Sequence, residues 1–283
     1  MLNNTIIGVD LGGTKIHSAL VSGEKVVKEY KLPTPQTDKQ SEVMDAIKSA
    51  IKNIFTKDVE GIGIGIPGVV DVERGVVNNT QNIPSLSGAN IKEILEKKFE
   101  IPVFINNDAN CFVVGEKYFG HGKDYDNIVS LTLGTGLGGG VIINGKLYSG
   151  KNCGAGEFCS IKYKDKDYES YCSSQYFKNI HNTTGLEVYN SANAGDKKAI
   201  EILDDFGKNI GEAIYTLVLT YDPEIVIIGG SISKSSKFLI SPIMDVLKSF
   251  PNQHIIDNLK IEFSSEPNAA VLGAAALFYD NKN

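Results

Sequence analysis

The same pattern, an apolar strand followed by a glycine-rich turn and a returning apolar strand, occurs twice in this chain of 283 residues. The first copy has strands over 5–10 and 16–21 around Leu11-Gly12-Gly13-Thr14-Lys15. The second has strands over 127–133 and 141–143 around a turn over 134–140, which holds five glycines in seven residues. Apolar strands that bracket glycine turns are typical of sheets and not of flexible linkers. The repetition predicts a duplicated, two-lobed α/β protein.

The first turn combines residues that suit a phosphate group and a divalent cation. Gly12 and Gly13 let backbone N–H groups approach phosphate oxygens closely, and the hydroxyl of Thr14 adds a donor. The carboxylate of Asp10 suits a hard cation such as Mg²⁺, directly or through water. Because a Gly-Gly hairpin turn is common in any β protein, this turn alone is weak evidence of a ligand.

The second turn is suited to a phosphate chain, since its glycines are accompanied by the hydroxyl of Thr135. Its spacing differs from that of a Walker motif, and no helix follows it. P-loop and Rossmann folds are therefore excluded. The two turns together predict a nucleoside triphosphate held between the lobes.

A cluster of polar residues directly follows a short apolar strand over 103–105. Asn106-Asn107-Asp108-Ala109-Asn110 precedes a helix that we predict over 109–119. Ligands bind beyond the carboxyl ends of strands in open α/β sheets, so this cluster is a candidate site. The alternative is an ordinary strand-to-helix turn in which Asp108 or Asn110 caps the helix. The two glycine turns favour the first interpretation.

The remaining pattern alternates between strands and helices. Pro67-Gly68 ends a strand of alternating glycine and isoleucine and can bring main-chain groups near a ligand. The amides of Asn78, Asn79, Gln81 and Asn82 follow in a loop; such loops are usually just turns, but amides also pair well with sugar hydroxyls. Further strands are predicted over 25–32, 61–66 and 224–231, and helices over 41–55, 91–99, 198–219 and 269–279.

Charge and composition exclude several classes of partner. The formal charge of −6 and the pI near 5.3 argue against nucleic acid and anionic membranes. No apolar run approaches the length of a membrane span, and the N-terminal residues do not form a secretory signal pattern. The four cysteines show neither paired disulfide spacing nor a Cys-x-x-Cys motif. A reducing cytoplasm is the expected location.

In this order, the motifs resemble those of the ROK family of sugar kinases, which includes glucokinases, fructokinases and N-acetylmannosamine kinases. The resemblance implies the actin-like (hexokinase and ribonuclease H-like) fold and covers nearly the whole chain. Each motif alone is modest evidence, but all of them in order are specific. The matching segments are 10–15, 107–110, 134–140, Gly156-Glu157 and Gly229-Gly230-Ser231.

The resemblance implies ATP-dependent transfer of the γ-phosphoryl group to the C6 hydroxyl of a hexose. Glucose is the first candidate, with N-acetylmannosamine or fructose as alternatives. Asp108 matches the catalytic base, which accepts the hydroxyl proton and holds the nucleophile in line. Asp10 is implied to help place Mg²⁺. The implied sugar contacts are Gly68, Asn82, Asn107, Asp108, Glu157 and Glu169, and the implied nucleotide contacts are Asp10, Gly12, Gly13, Thr14, Lys15, Thr135, Gly136, Gly229 and Gly230.

One segment departs from the family pattern, which usually has Gly-Glu-x-Gly-His followed by a Cys-rich loop that binds a structural Zn²⁺. Here Ser160 occupies the histidine position, and the short loop over 162–167 has no cysteine or histidine. Because a tetrahedral zinc site needs four such ligands, we expect no zinc. Cys153, Cys159 and Cys172 either form an unusual site or, more commonly for cysteine, serve as small buried residues. The shorter Ser160 side chain is also expected to broaden the choice of sugar.

The expected architecture is a small lobe over 1–115 plus 268–283, with the first phosphate motif and Asp108, and a larger lobe over 116–267. The larger lobe carries the second phosphate motif and the adenosine motif. The family also implies a homodimer. Two other classes stay open: a sugar-sensing repressor, disfavoured by the early strand and the acidic charge, and an inactive sugar-binding or actin-like assembly protein, disfavoured by Asp108.

Overall fold

A computed structural model describes residues 4–80 and 82–281, so Gln81, one of the amides in the predicted sugar-binding loop, lies outside the described residues. The chain divides into two compact units. Unit 1 comprises Met1–Asp124, Gly140–Gly156 and Glu266–Asn283, and unit 2 comprises Tyr125–Gly139 and Glu157–Ser265. Within the described ranges, every helix is too short or too polar to span a membrane.

The elements follow one another in an alternating α/β order. The strands are β1 (Thr5–Leu11), β2 (Lys15–Ser22), β3 (Lys25–Pro33), β4 (Val59–Ile66), β5 (Val69–Asp71), β6 (Val76–Asn79), β7 (Val103–Asn107), β8 (Ile128–Leu133), β9 (Leu137–Ile143), β10 (Lys146–Leu147), β11 (Lys162–Tyr163), β12 (Lys166–Asp167), β13 (Ile225–Gly229) and β14 (Lys260–Phe263). The helices are α1 (Gln40–Lys52), α2 (Ile91–Phe99), α3 (Asp108–Phe119), α4 (Tyr168–Cys172), α5 (Ser174–His181), α6 (Gly185–Asn193), α7 (Lys197–Tyr221), α8 (Ser236–Leu247), α9 (Gln253–Asn258) and α10 (Ala269–Asp280). Short 3₁₀ helices lie at Pro84–Leu86, Phe158–Ser160 and Ser231–Ser235.

Unit 1 is built on a five-stranded sheet with the order β3-β2-β1-β4-β7. Strands β1, β4 and β7 run parallel, and β2 and β3 add an antiparallel edge. In β4 the side chains alternate between the two faces of the sheet, so Ile62 and Ile64 share one buried core with Ile47 and Ile51 of α1. The glycines that alternate with them face the opposite side.

Helix α10 covers that opposite face at very short range. A Cβ atom on Gly63 would lie 1.7 Å from the carbonyl oxygen of Ala274, and one on Gly8 would lie 2.0 Å from that of Val271. Only glycine fits such a close approach of helix backbone to sheet backbone. The alanine-rich sequence of α10 is buried on nearly all sides, which explains why it has no polar face.

Unit 2 contains the parallel strands β8, β13 and β14 of a second five-stranded sheet, whose order is β10-β9-β8-β13-β14. The division between the units passes through β9. The long helix α7 packs on α8 through Gly207 and Gly211. A Cβ atom at these positions would lie 2.5 Å from Pro242 and 2.9 Å from Val246, respectively.

The second glycine turn is shorter than predicted. Strand β9 already begins at Leu137, so the turn consists of 134–136 and the remaining glycines belong to the strand. The physical reason is close packing, because a Cβ atom on Gly140 would lie 2.6 Å from Val113 and 2.9 Å from the carbonyl oxygen of Ala109.

These contacts join the start of 140–156 to unit 1, whereas the predicted boundary assigns 116–267 to the larger lobe. That the two units act as the lobes of one enzyme stays a prediction.

Candidate active site

Three neighbouring parallel strands of unit 1 end in a row of residues that includes two predicted site segments. Asp10 of β1 is paired in register with Gly65 of β4, and Gly65 is paired with Asn106 of β7. Adjacent strands lie about 4.8 Å apart, so this row is compact. The first glycine turn, the residues after β4 and the segment after β7 therefore meet at one sheet edge, the carboxyl edge at which α/β sheets bind ligands.

Asn107, the last residue of β7, starts helix α3. Its Oδ1 accepts hydrogen bonds from the backbone N–H groups of Ala109, at 2.9 Å, and Asn110, at 3.3 Å. The alternative interpretation, in which Asp108 or Asn110 caps the helix, names the wrong cap, because Asn107 is the residue whose backbone is still extended when the helix begins. Capping leaves Asp108 as the first helical residue.

Asp108 is half-buried, and its Oδ1 accepts the N–H of Ala109 at 3.0 Å. Its place in the first turn of a 12-residue helix puts it at the positive end of the helix dipole. Asn107 also donates from Nδ2 to the carbonyl oxygen of Gly68 at 3.0 Å. This bond joins two of the predicted sugar contacts to each other.

The buried side chain of Asn106 connects the loop that contains Ser149 and Cys153 to the segment that carries Asp108. Its Oδ1 accepts hydrogen bonds from Nδ2 of Asn110 at 2.8 Å and from the Cys153 thiol at 3.3 Å. Its Nδ2 donates to Oγ of Ser149 at 3.2 Å. Ser149 and Cys153 lie 43 and 47 positions from Asn106 in the chain, so the sequence does not indicate these two contacts.

Asp10 is a half-buried carboxylate to which no described residue donates a hydrogen bond. Burial raises its pKa above the ordinary value of 3.8, and Lys15 partly opposes this increase. The pKa of the buried Cys111 thiol is raised chiefly by burial and then by Asp108 and Asp10, so both carboxylates lie near this thiol. A carboxylate without a donor fits a cation, and Mg²⁺ typically takes one or two carboxylates together with water and phosphate oxygens.

The first glycine turn is closed by a single hydrogen bond, from the N–H of Gly12 to the carbonyl oxygen of Lys15, at 2.9 Å. The carbonyl groups of Gly12 and Gly13 accept bonds from Thr34 and Gln36. No described residue accepts from the N–H groups of Gly13 and Thr14. The turn therefore presents two successive open donors, which suit an anion. Asn82 lies against it, since a Cβ atom on Gly13 would be 3.2 Å from Cβ of Asn82.

The second glycine turn, in unit 2, has the same construction. The N–H of Gly134 donates to the carbonyl oxygen of Gly136 at 3.0 Å, and Ser174 donates to the carbonyl groups of Gly134 and Thr135. The N–H groups of Thr135 and Gly136 have no acceptor among the described residues. The two units thus each carry a turn with its carbonyl oxygens occupied and two N–H groups open.

Glu169, near the start of α4, lies directly against this second turn. Its Oε2 accepts from the backbone N–H of Leu137 at 3.2 Å, and its Oε1 accepts from Nε2 of Gln175 at 2.9 Å. Glu157 is exposed at the start of a 3₁₀ helix, where Cys159 donates to its Oε2 at 3.5 Å. Both predicted sugar-binding glutamates therefore belong to unit 2.

The predicted adenosine motif also lies beside the second turn. Gly229 ends β13 and is paired with Thr132 of β8. Gly230 has a φ of +87°, and a Cβ atom there would lie 2.2 Å from the carbonyl oxygen of Leu133, the residue before the turn. A side chain at position 230 would therefore be both strained and obstructed.

The predicted site residues are thus divided between the units. Unit 1 holds Asp10, Gly12, Gly13, Thr14, Lys15, Gly68, Asn82, Asn107 and Asp108, and unit 2 holds Thr135, Gly136, Glu157, Glu169, Gly229 and Gly230. In ranges 4–80 and 82–281, no three His, Cys, Asp or Glu side chains are grouped so as to hold a metal ion. Of the three clustered cysteines, Cys153 belongs to unit 1 and Cys159 and Cys172 to unit 2.

A groove of about 530 Å³ opens in unit 1 beside the predicted catalytic segment. It is lined by residues of β5 and β6 and by 147–153, including the carboxylate of Asp71, the amide of Asn78 and the ring of Tyr148. The Tyr148 side chain is 49% exposed. Ser149 and Cys153 line the same groove and are bonded to Asn106, so the groove is adjacent to the segment that carries Asp108.

The chain is similar to known proteins over nearly its whole length. The ROK family model matches residues 6–281. A glucokinase from Thermotoga maritima is 31% identical, and the alignment covers 96% of each chain. A beta-glucoside kinase from Listeria monocytogenes is 30% identical over 98% of each chain.

A solved ROK family glucokinase from Streptomyces griseus, in complex with glucose and AMPPNP, superposes with a TM-score of 0.81 and 28% identity. The superposition covers 97% of this chain and 99% of that one. These likenesses confirm the predicted actin-like α/β fold. The chain belongs to the ROK family.

Proposed function

We propose that this protein is an ATP-dependent hexose kinase that transfers the γ-phosphoryl group to the C6 hydroxyl of its sugar, with glucose as the first candidate. The position of Asp108 carries the proposal. It opens α3 directly beyond the end of β7, at the same sheet edge as Asp10 and the first glycine turn. Relatives named glucokinase and a glucokinase complex with glucose and AMPPNP support the sugar class and the donor.

In this mechanism Asp108 accepts the proton of the attacking hydroxyl. The ionised carboxylate is the form able to accept a proton, and it lies at the N-terminus of α3. Since the transition state of phosphoryl transfer is loose, the main contribution of the carboxylate is to aim the hydroxyl at the phosphorus. Asn107 fixes this geometry by bonding α3 on one side and Gly68 on the other.

The open N–H groups of the two glycine turns bind phosphate oxygens in this proposal, with the adenosine beside Gly229 and Gly230. Backbone donors fixed before the reaction stabilise charge on the transferring group without reorganisation. Asp10, with water, would hold Mg²⁺, which neutralises charge on the phosphates when bound. Thr14, Lys15 and Thr135 lie at the two turns, where their side chains can add donors.

The sugar contacts in this proposal are Gly68, Asn82, Asn107, Asp108, Glu157 and Glu169. Ser160 is exposed, and its Oγ lies 3.6 Å from the Cys159 thiol. A short hydroxyl leaves room for water, and a water-filled contact discriminates less between sugars than a direct one. N-acetylmannosamine and fructose therefore stay alternatives to glucose.

A second candidate substrate is a glycoside, in which the phosphorylated hexose carries a second group. The groove beside Asn106 favours it, because its exposed tyrosine ring can stack on a sugar face and its amide and carboxylate groups can pair with hydroxyls. The relative named beta-glucoside kinase aligns with this chain over 98% of each. Activity on cellobiose at least equal to that on glucose would favour this candidate.

The test is ADP release from ATP and Mg²⁺ across a panel of glucose, fructose, N-acetylmannosamine, mannose and cellobiose. The expected result is release with at least one sugar, with the phosphate at C6 by NMR. Absence of release with every sugar, together with a salt-sensitive shift of DNA, would instead favour a sugar-sensing repressor. The proposal includes a cytoplasmic homodimer, and light scattering that gave only the 30.6 kDa monomer would contradict the dimer.

A further inference from the structure

Glu169 lies on a helix that cannot be stable by itself. Helix α4 has five residues, far fewer than an isolated helix needs in water. Asp167 caps it, accepting from the N–H of Ser170 at 2.8 Å. The helix directly follows the hairpin of β11 and β12, so the position of Glu169 depends on what holds this hairpin.

The hairpin is fastened to α7 through Lys164, the residue at its tip with a φ of +52°. The ammonium group of Lys164 donates to Oδ1 of Asn209 at 2.7 Å, and the hydroxyl of Tyr163 donates to the same oxygen at 3.1 Å. Asn209 is only 1% exposed, so its amide is a fixed anchor. Its Nδ2 is in turn 3.4 Å from Asp205 of the same helix.

Contacts between aromatic rings connect the hairpin to α4. The Lys164 ammonium lies 5.2 Å from the centre of the Tyr163 ring and 4.8 Å from that of Tyr171, within the range of cation–π attraction. Tyr163 stacks on Tyr168 with ring centres 4.7 Å apart and meets the edge of Tyr171 at 5.5 Å. Tyr168 and Tyr171 flank Glu169 in α4, on the two sides of its position in the chain.

We propose that Tyr163, Lys164, Tyr171 and Asn209, here named the lysine clasp, are positioning residues that hold the Glu169 carboxylate in place for the sugar. The proposal rests on the proposed function, because that function makes Glu169 a sugar contact. At its other end Glu169 is held by Leu137 and Gln175. The lysine clasp holds α4 through the rings of Tyr168 and Tyr171. The donors of Leu137 and Gln175 hold the carboxylate of Glu169 itself.

The test compares Lys164→Met, which keeps the length of the side chain and removes its charge, with Lys166→Met in the same hairpin. Lys166 is exposed and has no role in the lysine clasp. We expect Lys164→Met to raise the KM for the hexose about fivefold, with a smaller change in kcat. A fivefold change corresponds to the free energy of the cation–π and hydrogen-bond contacts that the variant loses. Lys164→Arg should restore most of the affinity, since arginine can also donate and stack.

Hydrogen exchange of the sugar-free protein gives a readout independent of activity. Lys164→Met should speed exchange in 166–173 and leave 103–119 unchanged, whereas Lys166→Met should change neither. An unchanged hexose KM in Lys164→Met, or equal effects of the two variants, would overturn the proposal. If the wild-type protein phosphorylates no sugar, the proposed function fails, and the exchange pattern still decides whether the lysine clasp holds α4.

Discussion

The carboxylate of Glu169 accepts a hydrogen bond from the backbone N–H of Leu137, with 3.2 Å between Oε2 and N. Leu137 directly follows the second glycine turn, which is proposed to hold the phosphates. Glu169 is proposed to contact the sugar. If both proposals hold, one side chain supports the nucleotide turn and contacts the sugar, which would couple the two binding events in a way that the sequence motifs alone do not indicate.

Glu169→Gln should weaken the binding of both substrates. Glutamine keeps the shape but loses the charge that strengthens the bond to Leu137, so we expect the KM values for hexose and for ATP each to rise about tenfold. Glu157→Gln is the matched control, because Glu157 has no bond to the turn. It should raise the hexose KM only. Steady-state kinetics with each substrate varied in turn measures both values, and an unchanged ATP KM in Glu169→Gln contradicts the coupling.

Gly136→Ala should damage ATP use, whereas Gly134→Ala should be tolerated. A Cβ atom on Gly136 would lie 2.6 Å from Oε2 of Glu169, but a Cβ atom on Gly134 would meet no atom within 4 Å. The carboxylate of Glu169 must therefore move, and its hydrogen bond to the N–H of Leu137 beside the turn is lost. The measurement is nucleotide affinity by calorimetry with a non-hydrolysable ATP analogue. Equal affinities of the two variants would show that the turn does not bind phosphate.

Asp108→Asn should abolish most turnover without removing the sugar site. Asparagine can still accept the N–H of Ala109, so α3 should keep its start, but it cannot accept a proton. We expect kcat to fall about 10²–10⁴-fold with little change in the hexose KM. The exposed Asp124→Asn serves as a control for loss of a surface carboxylate. Wild-type turnover in Asp108→Asn would exclude the assigned base.

We expect the protein to contain no structural zinc, so treatment with a zinc chelator should not change its stability. The loop over 162–167 has no cysteine or histidine, and Cys153 is instead bonded to Asn106. We expect no stoichiometric zinc in the purified protein by plasma emission analysis and the same melting temperature after treatment with a zinc chelator. A bound zinc ion in equal amount to the protein, with a lower melting temperature after chelation, would prove the expectation wrong.

The alternation of apolar residues made the strand–turn–strand units and the central helices predictable, because each signal is local. The starts of α3 and α6 are local signals too: Asn107 caps the first, and Thr184 with Glu187 forms a capping box for the second. The alternative interpretation of the polar cluster placed the α3 cap at Asp108 or Asn110, one and three positions beyond Asn107. Neither signal requires knowledge of the fold.

Long-range contacts set the limit of what the sequence could predict. Gly138, Gly139 and Gly140 read as a loop because composition does not show that α3 approaches β9 too closely for a side chain at position 140. The bonds from Asn106 to Ser149 and Cys153 connect residues separated by 43 and 47 positions. Such pairs become visible only when the sheet brings their strands together.

Asp10→Asn should stabilise the ligand-free protein while removing its response to Mg²⁺ and nucleotide. Burial raises the pKa of Asp10 above 3.8, so the folded state binds this proton more tightly than the unfolded state. Stability therefore falls as the pH rises from the unfolded value through the raised folded value, and the loss is complete above it. Asparagine avoids this loss.

The melting temperature of Asp10→Asn should exceed that of the wild type near neutral pH. The difference should shrink as the pH is lowered towards 3.8, where the wild-type carboxyl group is also protonated. Magnesium and an ATP analogue should raise the melting temperature of the wild type by mass action but not that of the variant. The exposed Asp38→Asn should behave as wild type throughout. A variant that melts below the wild type at neutral pH, or a difference that widens in acid, would contradict the role assigned to Asp10, because a carboxylate awaiting a cation must cost stability when the cation is absent.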